Sequence, residues 1–153
     1  MKSVMGFTFF LLFLAGFAFV FLQGKQSEAP LAHQAGPLSF MDVYWRPVSV
    51  GDVAVADDTV MFVRFETGRK ITGHAGCNRF FGSFHTQETG FQVGPLGSTR
   101  MACPESVMML ERKFLRAIEE MKHFLTSPDS MQLLDGDNDT LARFVPANPA
   151  PSN

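Results

Sequence analysis

The sequence predicts a small α+β domain: a curved antiparallel sheet, built as a meander plus a C-terminal hairpin, packed on one long helix. Three observations predict it. Short β-prone runs, each closed by Gly or polar residues, follow one another from Val43 to Val93. From Pro104 to Phe124 the apolar period changes to steps of three and four. Two more short runs then flank a polar turn, Asp135-Gly136-Asp137-Asn138-Asp139.

The elements follow in chain order. Val4 to Leu22 is almost unbroken apolar and is preceded by Lys2. It is about long enough to span a bilayer and has no polar face, so residues 1–22 are expected to be a signal peptide or a signal anchor. Cleavage after Ala18 or near Ala35 would release a periplasmic domain. Without cleavage, Val4–Leu22 would hold the domain at the inner membrane, facing the periplasm. Residues 23–39 read as a linker, residues 40–145 as the domain and residues 146–153 as a disordered tail rich in Pro. The 153 residues therefore leave room for one domain. A net charge of −2 and the lack of a basic stripe argue against nucleic acid as a partner.

Within the domain, Val43–Val50 is β-prone, and Pro47 suggests a sheet edge or a strand end. Val60–Glu66 and Lys70–Ala75 form a hairpin around Thr67-Gly68, followed by Phe80–His85 and Gly90–Val93. In the helical segment Leu110, Phe114, Ile118 and Met121 share one face. Glu111, Arg112, Lys113, Glu119, Glu120 and Lys122 are expected on the other. Pro104 suits a first helical turn, and Glu105 sits near the positive end of the helix dipole. Ser130–Leu134 and Thr140–Val145 supply the final hairpin.

Cys77 and Cys103 are the only cysteines. In an exported chain such a pair suggests a disulfide, which would stabilise by roughly 3.5 kcal/mol in the chain-entropy model. Two buried thiols and a redox pair are the alternatives. The redox reading lacks the Cys-x-x-Cys pair at a helix start that lowers a thiol pKa. His74, Cys77, His85 and Cys103 have zinc-binding atoms but no paired-ligand spacing, so no metal is expected. The Asp135–Asp139 run lacks the Gly and Glu of a calcium loop. Ser83, Ser98 and Thr99 carry no nucleophile-elbow pattern. No catalytic, cofactor or metal residues can be named, and the expectation is a protein that is not an enzyme. Arg100 is a candidate partner for a carboxylate near the helix start, such as Glu111.

Two dense stretches carry a family resemblance. One is Gly73-x-x-Gly76-Cys77-Asn78-x-x-x-Gly82, and the other is Thr99-Arg100-Met101-Ala102-Cys103. With Trp45 early in the domain and Glu111 followed by Phe114-Leu115, they resemble the META domain, or HslJ-like, family across residues 42–145. That resemblance implies a small α+β fold in the bacterial envelope, linked to heat shock and to tolerance of novobiocin. It supplies no catalytic residues. The lipid-bearing Cys of many relatives is missing from the leader, which favours a free or helix-anchored form. The function expected is a non-catalytic envelope module that binds an envelope protein or a small ligand. The alternatives are a thiol-redox protein using Cys77 and Cys103, and an apolar-ligand carrier lined by Phe80, Phe81, Phe84, Met101, Met108 and Met109.

Overall fold

A computed structural model describes residues 40–87 and 90–147. The expected leader, Val4–Leu22, and the linker lie outside those residues. No helix among the described residues is long and apolar enough to cross a membrane.

The strands are β1 (Tyr44–Val50), β2 (Val53–Ala54), β3 (Met61–Glu66), β4 (Lys70–Ala75), β5 (Arg79–Gln87), β6 (Gly90–Val93) and β7 (Gly97–Ser98). The helix α1 (Glu105–Glu120) follows, and then β8 (His123–Ser127), β9 (Ser130–Leu134) and β10 (Thr140–Ala147). They form one antiparallel sheet in the order β6-β5-β4-β3-β1-β10-β9-β8, with β2 on β1 and β7 on β5. The predicted α+β class, with a meander and one helix, is the observed one.

Strand alternation builds the core. Met61, Val63 and Phe65 of β3 point inward beside Ala75, Gly73 and Ile71 of β4. Gly73 pairs with Phe80 of β5, and any Cβ at Gly73 would run into Phe62 O and the Phe80 ring. The missing side chain is what lets Phe80 lie flat inside. Phe80 then meets Phe114 of α1 edge-on, with ring centroids 5.9 Å apart. Phe114, Ala117 and Ile118 form the buried stripe of the helix. Burying side chains of this size contributes on the order of 1.5–3 kcal/mol each.

Four sequence expectations are corrected by the fold. Pro47 does not mark an edge: β1 is a central strand between β3 and β10. The ladder with β10 shifts register between Pro47 and Ser49, and this irregularity accommodates a residue with no N–H to donate. Pro104 caps α1 from outside with extended ψ instead of lying in its first turn. The helix also stops earlier than its period suggests. Met121 is extended and fully buried, and His123–Ser127 is a strand paired to β9. Phe124 leaves the helix because aromatic partners await it at the sheet, Phe40 at 4.5 Å and Phe91 at 5.4 Å. Finally, β10 runs on through Pro146 and Ala147, which pair with Trp45 and Tyr44, so two residues assigned to the tail belong to the sheet.

The Asp135–Asp139 segment is the polar turn expected. Asp135 Oδ1 accepts from the backbone N–H of Asp137 and of Asp139, both at 2.9 Å.

Candidate functional site

The residues of the two dense stretches converge where the β4–β5 turn meets the start of α1. Gly76 opens the turn with φ +98°, a conformation that a side chain would strain. Cys77 and Asn78 follow it and turn inward, 3 % and 2 % exposed. Cys77 is bonded to Cys103, with the Cα atoms 6.1 Å apart. Cys103 directly precedes the cap residue Pro104, so the bridge joins the turn to the helix start. A disulfide between these two cysteines is the pairing the sequence suggests, and it ties the central hairpin to the loop before the helix.

Asn78 is the hub. Its backbone N–H donates to Glu111 Oε2 at 2.8 Å, and Nδ2 donates to Glu111 Oε1 at 2.9 Å. Nδ2 also donates to Met101 O at 3.4 Å. Oδ1 accepts from Thr99 Oγ1 at 2.8 Å and from Met101 N–H at 2.7 Å. The side chain thus uses both donors and both acceptor positions. Thr99 Oγ1 in turn accepts from Arg79 N–H at 3.2 Å.

Glu111 departs from its expected place. It lies on the buried face of α1 with Phe114 and Ile118, three and seven residues on, and is only 5 % exposed. A carboxylate is tolerated there because Asn78 offers it two donors. Arg100 is not its partner. Arg100 is exposed, and among the described residues it makes no ion pair.

The other motif residues serve the same scaffold. Trp45 donates from Nε1 to Phe40 O at 2.9 Å and pins the start of the domain to the core. Gly82 lies beneath Leu96, whose side chain takes the space a Cβ would fill. Met101 acts through its backbone, while its side chain is 60 % exposed. With both cysteines in a disulfide, no thiolate is available for the zinc set. His74 instead places Nδ1 2.9 Å from Val60 O.

The residues named for the carrier alternative do not gather around one pocket. Phe80 and Phe84 are core residues, while Phe81, Met101 and Met109 are exposed on the surface. These side chains cannot line one cavity between sheet and helix.

The META domain pattern matches residues 38–148. The chain belongs to the META domain family. The match takes in every strand and the helix of the described fold. No curated protein matches the chain. Among solved structures, this META domain is similar to a protein from Burkholderia xenovorans determined by NMR. The two are 24 % identical, with a TM-score of 0.54 over 79 % of this chain and 98 % of that one. A second NMR structure is 20 % identical at a TM-score of 0.57, covering 72 % of this chain and 94 % of that one. A DUF4847 family protein from Bacteroides vulgatus is 11 % identical at a TM-score of 0.52, covering 69 % and 93 %. These likenesses show a shared fold.

A second region was not legible in the sequence. The two end strands of the sheet, β6 and β8, approach each other beside the Phe40, Phe91 and Phe124 cluster. Among the described residues one backbone bond joins this edge, from Phe91 N–H to Lys122 O at 2.7 Å. The strand β8 that forms one wall was hidden because Phe124 and Leu125 continue the helical period of α1.

Proposed function

We propose that this META domain is a non-catalytic binding module of the bacterial envelope, acting in stress or antibiotic tolerance through a bound partner. The observation that carries the reading is the Cys77–Cys103 bridge. Disulfides persist in oxidising compartments and are rare in the cytosol. The apolar leader read from the sequence supports the same address. The non-catalytic part rests on the hub. Asn78, Thr99 and Glu111 spend their polar groups on one another and hold the helix to the sheet.

Two measurements test this. Intact mass of protein recovered from membrane and periplasmic fractions fixes the N-terminus and the state of the two sulfurs. Disruption of the gene is expected to sensitise its host to heat or novobiocin, and a Cys77→Ser, Cys103→Ser chain that keeps its fold is expected to restore tolerance. Cytosolic protein with free thiols, or turnover of a substrate at a defined residue, would overturn the proposal.

One observation favours a second reading as a thiol-redox protein. Cys103 stands at the N-terminal end of α1 and is half-buried, while Cys77 is buried. Equilibration against glutathione buffers separates the two. A reduction potential below about −300 mV marks an inert bridge, and a higher one marks redox chemistry.

A further inference from the structure

The sheet edge beside the Asn78 corner carries an exposed strip of mixed chemistry. Side chains alternate along β5, so Phe80 and Phe84 face the core while Arg79 and Phe81 face solvent. Phe81 is 62 % exposed. It pairs with Gly97 of β7, and a Cβ at residue 97 would stand 2.8 Å from its ring. Gly97 thus seats the ring against bare backbone, and the side chain is exposed yet held. The same edge runs on past β7. Thr99 N–H donates to Arg79 O at 3.0 Å, and Met101 N–H donates to Asn78 Oδ1. Ser98 to Ala102 are all exposed. Two bulky apolar side chains, Phe81 and Met101, therefore share one strip with two arginines, Arg79 and Arg100.

The arginines are uncommitted. Neither makes an ion pair among the described residues. By contrast, Arg46 and Arg64 on the same face of β1 and β3 are engaged, with Asp57 and with Asp42. Glu88 follows β5 at its opposite end, and the strand carries the chain about 26 Å from Arg79 to Gln87 before that residue is reached.

Cations beside bulky apolar tips suit a surface with anionic groups above an apolar interior. Guanidinium forks pair with phosphate, and Phe and Met side chains enter the headgroup boundary. The sequence puts such a surface within reach. An uncleaved Val4–Leu22 would lie in the bilayer, and residues 23–39, which lead to Phe40, span at most about 60 Å. Tethering makes docking intramolecular, so a small patch is enough.

We propose that this strip docks the domain on an anionic phospholipid bilayer, with Arg79 and Arg100 at the phosphates and Phe81 and Met101 in the headgroup boundary. The step rests on the envelope reading above and adds a contact surface to it.

The test uses the full chain in nanodiscs, one set of phosphatidylcholine and one enriched in phosphatidylglycerol. Both carry a trace of lipid with a gadolinium headgroup, and backbone amides are followed by NMR. In the anionic discs the strongest relaxation enhancement is expected at Phe80–Gly82 and Ser98–Ala102, and it should fade in the neutral discs. Arg79→Gln and Arg100→Gln should each lower the ratio of docked to free domain about fivefold, the usual worth of a basic residue near an anionic surface. Added salt should act in the same direction. Phe81→Ser should weaken docking with the charge unchanged. All three positions are exposed, and an unmoved Trp45 indole signal reports the kept fold. Equal enhancement in neutral and anionic discs, enhancement centred on another face such as that of exposed Leu125, or none at all would each overturn the surface. So would amides of the strip that shift with soluble polyglutamate and ignore phosphatidylglycerol, an outcome that assigns the strip to an acidic protein. Such a failure leaves the envelope module untouched, because that proposal is read from localisation and stress tolerance.

Discussion

The corner around Asn78 and the seam between β6 and β8 hold the same sheet by opposite means. At the corner a covalent bridge and a saturated asparagine tie the β4–β5 turn, the segment through Met101 and the helix together. At the seam, among the described residues, one backbone bond and a cluster of rings join the two end strands. Directional polar bonds specify one geometry and fail sharply when a member is lost, because the remaining buried groups have no water to turn to. Aromatic packing is less directional and yields gradually. The comparison teaches that the family signature marks the corner held by directional bonds, while the ring-packed seam lies where the signature is silent.

The largest effect is expected at the hub. Glu111→Ala leaves the N–H and one of the two Nδ2 hydrogens of Asn78 without an acceptor in a buried site and should cost about 4 kcal/mol, read from urea melts. A loss below about 1 kcal/mol would break the contrast by making the corner no stiffer than the seam. Next comes the bridge. Replacing both cysteines by Ser should cost about 3.5 kcal/mol in the chain-entropy model, with the fold kept because the Asn78 bonds remain. A smaller change is expected from Phe124→Leu at the seam, about 1 kcal/mol, since the volume is partly kept and only the ring contacts go. Hydrogen exchange sharpens this case. The amides of Phe91 and Lys122 should exchange faster than those of Asn78 and Met101 in the parent chain, and faster still in the variant.

The smallest effect is electrostatic. Asp42 sits where the chain leaves Phe40, and the Thr67 hydroxyl followed by Arg64 holds its carboxyl below the ordinary value of 3.8. A carboxyl depressed in the folded state adds stability above the unfolded pKa, and that contribution is lost as pH falls through the folded value. Asp42→Asn should therefore lower stability slightly at neutral pH, leave it unchanged below the folded value, and so flatten the acid limb of a stability–pH curve. An unaltered acid limb would show that the exposed carboxylate makes no difference to folding.

The sequence by itself determined the α+β class, the β3–β4 hairpin, the polar Asp135–Asp139 turn and the family. Those features are local: strand alternation, turn chemistry and a motif with fixed spacing need only near neighbours. Pairing Cys77 with Cys103 was also within reach, since two cysteines allow one intramolecular bridge. Tertiary structure alone decided the face of Glu111, the end of α1 and the wall of the seam. Glu111 looks like surface by its charge, and it is buried because Asn78, 33 residues away, supplies two donors. Phe124 continues a helical period, and it is in a strand because Phe40 and Phe91 offer ring contacts from distant parts of the chain. Contacts between residues far apart outweigh local propensity when they satisfy a buried charge or bury an aromatic ring, and no window along the chain contains both partners.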